Sequence, residues 1–165
     1  MTPPSSPYFF DSGVRASELA ALDLTDVKPE GYVVVRHGKG GKSRAVPVER
    51  GTIKAIRLYV TTERDEDAPH RTLFLANGEP MARATLDKLL DRLCRLADLP
   101  RLSAHAFRRG FGVQYLRNGG DVFTLQRIFG HTSLEMSNRY ALLNGDDLKQ
   151  AHRRASPMRT VNGEG

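Results

Sequence analysis

The sequence predicts an α+β fold that is mainly helical, with a small antiparallel sheet of three strands. Three observations carry this. Two β-rich runs, 31–36 (Gly-Tyr-Val-Val-Val-Arg) and 44–48 (Arg-Ala-Val-Pro-Val), flank the glycine-rich turn His37-Gly38-Lys39-Gly40-Gly41-Lys42-Ser43, which reads as a hairpin. From residue 82 onward, apolar residues recur at helical spacing. The length of 165 residues suits one domain with a real core.

In chain order, residues 1–7 are rich in Pro and Ser and read as a loose lead-in. Tyr8, Phe9 and Phe10 resemble the last turn of a helix, and Asp11, Ser12 and Gly13 mark a turn. A helix over 16–22 has Ser17 and Glu18 near its start, where a hydroxyl and a carboxylate favour a helix N-terminus. After the hairpin comes a short helix over 51–61. Residues 63–70 are charged and contain Pro69, so they read as a surface loop, and 72–75 is the expected third strand.

The remainder reads as helices. One over 82–96 carries Leu86, Leu89, Leu90 and Leu93, with Cys94 as a buried thiol. Ser103 is the expected N-cap of a helix over 104–118 that stops at Gly119 and Gly120. Further helices span 121–129, ended by Gly130, then 132–143 and 146–153. The tail 155–165 has no pattern and is expected to be flexible.

Composition narrows the function classes. The formal net charge is +6, which suits a polyanionic partner such as nucleic acid. One cysteine allows neither an internal disulfide nor a cysteine-based zinc site. The first residues lack a basic region followed by an apolar run, and no apolar segment is long enough to span a bilayer. A cytoplasmic protein is the expectation. Glu63, Asp65, Glu66 and Asp67 form a solvated charge run without a partner cluster, so no carboxylate pair offers a two-metal site.

Several polar residues are spaced for a common site. His105 and Arg108 stand at i and i+3 near one helix start and share a face, with Arg109 next to them. Lys39 sits between glycines at a hairpin tip whose backbone can approach a ligand closely. Gly130-His131 ends a helix, and Tyr140 lies on the next helical segment. Arg15 opens the helix that bears Glu18. Singly, each has a plainer reading: a solvated surface arginine, a turn lysine, a capping histidine, an amphipathic tyrosine.

Together they form an ordered string. It runs Gly13-Val14-Arg15-Ala16-Ser17-Glu18-Leu19, Gly38-Lys39-Gly40-Gly41-Lys42-Ser43-Arg44-Ala45-Val46-Pro47, His105-Ala106-Phe107-Arg108, Gly130-His131 and Tyr140. This string resembles the tyrosine recombinase family of phage integrases and chromosome-dimer resolvases, whose catalytic positions it matches in order from Arg15 to Tyr140. The resemblance implies an integrase-like catalytic domain over 15–154, preceded by a truncated segment 1–14. It also implies a reaction: site-specific cutting and rejoining of DNA through a 3′-phosphotyrosine.

The chemistry explains the residue types. Transesterification of a phosphodiester builds negative charge on the phosphoryl oxygens, and guanidinium groups hold such oxygens by paired hydrogen bonds. By resemblance Arg15 and Arg108 do this, and Tyr140 is the nucleophile. A tyrosine hydroxyl has a pKa of about 10 and needs a proton acceptor or a strongly positive site. Lys39 would protonate the leaving 5′-oxygen, and His105 and His131 would hydrogen-bond the phosphate and assist proton transfer. Glu18 would orient its neighbours, and Lys42, Arg44 and Arg109 would contact DNA. No cofactor and no metal are expected. The implied partner is double-stranded DNA, with a tetramer on DNA in the intact enzyme.

The pattern departs from the family in three places. Arg109 stands where a second histidine is common, and Phe129 replaces the usual aliphatic residue before Gly-His. Relatives also carry a helical DNA-clamping domain and further helices before the first arginine, whereas this chain begins almost at Arg15, so a truncated product is expected. Two other functions fit the string. A type IB topoisomerase shares the site, but His105 and the Gly-His…Tyr spacing disfavour it. A catalytically silent DNA-binding remnant would bind DNA without a covalent product.

Overall fold

The computed structural model describes residues 11–36, 43–131, 149 and 152. Its elements run α1 (Ala16–Ala20), a 3₁₀ turn (Leu24–Asp26), β1 (Val27–Lys28), β2 (Tyr32–Val35), β3 (Arg44–Pro47), α2 (Arg50–Thr62), β4 (Leu75–Ala76), β5 (Glu79–Pro80), α3 (Arg83–Leu96), α4 (Ala104–Arg117) and α5 (Val122–Phe129). The mainly helical fold with one antiparallel sheet of three strands, ordered β1-β2-β3, is the predicted one.

Within that sheet Val33 faces Val46 and Val35 faces Arg44. The two-residue period turns Val33, Val35 and Val46 into the core and leaves Val34 and Ala45 on the outer face. Pro47 ends β3, which among the described residues is an edge strand with no outer neighbour to receive an N–H. The third strand is not the predicted one. It is Val27–Lys28, which pairs with Val33 and Tyr32. The segment expected to supply it meets the 3₁₀ region only through a bridge between Thr72 and Asp23. Leu75 belongs instead to a separate two-stranded ribbon with Glu79–Pro80, turned by Asn77 and Gly78 at φ 54° and 83°.

Helix α3 buries Leu86, Leu90 and Cys94, one turn apart on one face. Helix α4 begins at Ser103, whose hydroxyl accepts the Ala106 N–H at 3.2 Å. Asp121 caps α5 in the same way through the Thr124 N–H at 2.8 Å, and Gly130 stops that helix at φ 62°. The loop 63–70 is exposed or half-buried except for Arg64, which is buried and donates to the carbonyls of Asp65, His70 and Thr72. One core joins Leu19 and Leu22 after the first turn, the inner sheet face, Ile56 and Tyr59 of α2, Leu86 and Leu90 of α3, and Leu125 and Phe129 of α5. The site is built on the rim of this core, where the starts of α1 and α4 meet the end of α5.

Candidate active site

The chain turns sharply at Gly13 (φ 57°), where Phe111 and Phe129 pack so closely that a Cβ would lie 2.5 and 2.7 Å from their rings. That turn sets Arg15 at the N-terminus of α1. The Arg15 N–H donates to Glu18 Oε2 at 2.8 Å, and Arg15 Nη1 donates to Glu18 Oε1 at 2.9 Å. Glu18 is buried. Its two oxygens also take the two terminal nitrogens of Arg44, at 3.0 and 2.8 Å. Burial alone would raise the Glu18 pKa, but the hydrogen bonds of Arg44 and Arg15 and the charge of Arg44 outweigh it and hold the carboxyl at about 2.

Arg44 is held inside the protein. The sequence reading sends it to DNA, yet its side chain is 11% exposed and all three guanidinium nitrogens donate inside the protein. Arg44 Nε takes the Ile128 carbonyl at 2.7 Å. A guanidinium so placed ties β3 to α1 and to the last turn of α5. It shares an inward face with Val46, two residues on along the strand.

Arg108 is 4% exposed and reaches back to the same corner. Its Nη1 donates to the Gly13 carbonyl at 2.6 Å and its Nη2 to the Phe129 carbonyl at 2.9 Å, with its plane 4.0 Å from the Phe129 ring centre. The phenyl ring that departs from the family pattern is thus wholly buried and serves as the floor on which Arg108 lies. Carbonyls of Ile128 and Phe129, at the negative end of α5, together receive Arg44, Arg108 and, at 3.5 Å, Arg15.

His131 follows directly. Arg108 Nη2 lies 3.3 Å from its Nε2. A guanidinium can only donate, so Nε2 accepts and the ring proton is assigned to Nδ1. Burial, then the charges of Arg108, Arg15 and Arg44, lowers the imidazole pKa to about 4, so the ring is neutral at pH 7.

These groups surround one cleft of about 270 Å³, lined by Arg15, Ser17, Arg83, His105, Arg108 and His131. The guanidiniums of Arg15, Arg44, Arg83 and Arg108 outnumber the Glu18 carboxylate and make the corner cationic, a fit for an anion rather than a metal. Among the described residues no group of three or more His, Cys, Asp or Glu is placed to hold a metal ion. The sequence-predicted Arg15, Glu18, His105, Arg108 and His131 therefore converge on this corner. Arg109 is exposed on α4, outside the cleft lining. Lys39, Lys42 and Tyr140, and the helices expected over 132–143 and 146–153, lie outside the described residues. Sequence reasoning missed Arg83, whose only signal was a cation in the first turn of a helix, where the helix dipole disfavours it.

A model of the phage integrase family matches residues 8–146, nearly the whole span from the first turn past Tyr140. The chain belongs to the phage integrase family. The tyrosine recombinase XerC of Myxococcus xanthus is 32% identical over 156 residues, covering 90% of this chain and 52% of that protein. The tyrosine recombinase XerA of Pyrococcus furiosus is 31% identical over 159 residues, covering 93% of this chain and 54% of its own. A crystal structure of XerA recombinase superposes with a TM-score of 0.79 at 30% identity, over 90% of this chain and 54% of that one. This phage integrase family chain thus spans about half the length of the curated relatives it matches. Among its described residues no helix is long and apolar enough to cross a membrane.

Proposed function

We propose that this chain is the catalytic part, 15–154, of a site-specific DNA recombinase that cuts and rejoins double-stranded DNA through a 3′-phosphotyrosine. The observation that carries the reading is the shared cleft of Arg15, His105, Arg108 and His131, made cationic and held in place by Glu18 and Arg44. A phosphodiester seated there has its non-bridging oxygens against Arg15 and Arg108, which stabilise the charge that builds as phosphorus is attacked. The Tyr140 oxygen forms the new bond to phosphorus as its proton passes to a histidine of the cleft, and the P–O bond to the 5′-oxygen breaks, that oxygen taking a proton from Lys39. His105 and His131 hydrogen-bond the phosphate and assist proton transfer. The phosphotyrosine keeps the bond energy, so rejoining by a 5′-hydroxyl is the reverse step and requires neither cofactor nor metal. Lys42 and Arg109 contact the DNA backbone. The intact enzyme acts as a tetramer on DNA in the cytoplasm.

Covalent capture tests this. The chain is incubated with nicked duplexes without added metal, denatured in SDS and examined for a protein–DNA adduct. An adduct that maps to Tyr140, survives chelator and vanishes in Tyr140→Phe is expected. DNA binding without any adduct would overturn the reading in favour of a silent DNA-binding protein.

A further inference from the structure

We propose that Arg83 is a DNA-backbone contact, holding a phosphate next to the one seated between Arg15 and Arg108. This rests on the reading of the cleft as a phosphodiester site. Arg83 lines that cleft from the start of α3, together with Arg15 and Ser17 at the start of α1 and His105 and Arg108 near the start of α4.

Local structure gives Arg83 little to do. Its side chain is 75% exposed, and its Nε stands 4.0 Å from Asp87 Oδ2, at the outer limit of an ion pair. That pair runs with the cation N-terminal to the anion, the weaker order on a helix. The position also opposes the helix dipole, so the side chain adds nothing to the stability of α3. An anion at the cleft reverses this balance, because an exposed guanidinium keeps its donors for a phosphate. DNA presents a charge about every 3.4 Å of axis on each strand. A strand that places one phosphate in so small a cleft brings its neighbours to the rim, where Arg83 stands. The contact carries no sequence information and fixes the strand's register over Arg15 and Arg108.

The test compares Arg83→Gln with the parent chain and with Arg92→Gln in salt titrations of duplex binding. Arg92 is exposed on the same helix, nine residues on, about half a turn round the axis and about 13 Å along it. It removes the same charge away from the cleft. Loss of one phosphate contact lowers the slope of log K against log salt by about 0.9, or about eightfold in affinity at 0.1 M salt. Arg83→Gln is expected to do this equally on duplexes of different sequence, Arg83→Lys to recover most of it, and Arg92→Gln to leave the slope unchanged. An unchanged slope in Arg83→Gln, or an equal drop in Arg92→Gln, overturns the assignment while leaving the cleft reading intact. Failure of the parent chain to bind duplex at low salt overturns both.

Discussion

Glu18 and Arg44 meet face to face, Oε1 taking Nη1 at 3.0 Å and Oε2 taking Nη2 at 2.8 Å, across 26 residues of chain. The Glu18 side chain is buried and that of Arg44 largely so, at 7% and 11% exposed. The pair therefore fixes β3 against the helix that carries Arg15. The same carboxylate holds Arg15 by two further hydrogen bonds.

Glu18→Gln should accordingly be costly. The amide keeps the shape but removes the one carboxylate that, among the described residues, pairs with Arg44 and Arg15, and leaving a buried charge uncompensated costs about 3 kcal/mol or more. The urea midpoint is expected to fall by that equivalent. Arg44→Met combined with Glu18→Leu should recover part of the loss, because an apolar pair of similar volume avoids desolvating either charge. A Glu18→Gln midpoint equal to the parent would sink the account.

Stability should fall in two acid windows. The Glu18 carboxyl is held at about 2 against an ordinary 4.5. Between those values the unfolded chain binds a proton that the folded chain does not, so stability rises with pH there and is lost as pH falls towards 2. His131 is lowered from 6.5 to about 4, so the unfolded chain is protonated first below 6.5 and stability also drains away between 6.5 and 4. Urea unfolding curves across both windows check this. His131→Gln should flatten the upper step and leave the lower, and Glu18→Gln the reverse; one smooth decline unaffected by either change would refute the assignment.

Two glycines should separate by severity. At Gly13 (φ 57°) a Cβ would stand 2.5 Å from Phe111 and 2.7 Å from Phe129, both rings of the core wall. At Gly130 (φ 62°) the nearest atoms it would meet are those of the Arg44 side chain, at 3.1 to 3.2 Å. Left-handed backbone costs a non-glycine residue about 1–2 kcal/mol, and overpacking a rigid site adds about 1–3. Gly13→Ala is expected to lose about 3 kcal/mol and Gly130→Ala about 1–2, read as shifts in urea midpoint. The opposite order would show that Arg44 is the less yielding neighbour.

Most of this corner was legible in the sequence, because its residue types and their order carry the chemistry. Helices α3, α4 and α5 were legible as well, since Leu86, Leu90 and Cys94 keep helical period and Ser103 and Asp121 are capping residues. The third strand was misplaced because Val27–Lys28 is two residues long and shows no alternation, while Thr72-Leu73-Phe74-Leu75 has the composition of a strand. Asn77-Gly78 was a usable turn signal for the ribbon β4–β5. The role of Arg44 was also readable: two-residue alternation in β3 puts it on the face of Val46. Its partner Glu18 and the carbonyls of α5 were not, because those contacts span up to 84 residues and depend on how the elements pack.

Arg108→Lys tests whether geometry or charge alone makes the site. The guanidinium donates to Gly13 O and Phe129 O, lies 3.3 Å from His131 Nε2 and stacks on the Phe129 ring. A lysine ammonium keeps the charge, but as a compact point on a flexible stem it cannot reproduce a planar fork in that slot. Losing one preorganised donor at a developing oxyanion typically costs about 10²–10³ in rate. The rate of adduct formation at saturating DNA is expected to fall by that factor, measured where circular dichroism shows the variant folded. The pattern differs from Arg83→Gln, which should weaken DNA affinity and leave the rate at saturation near the parent's. A lysine variant that forms adduct at the parental rate would mean that net positive charge, rather than the fork of Arg108, stabilises the reacting phosphate.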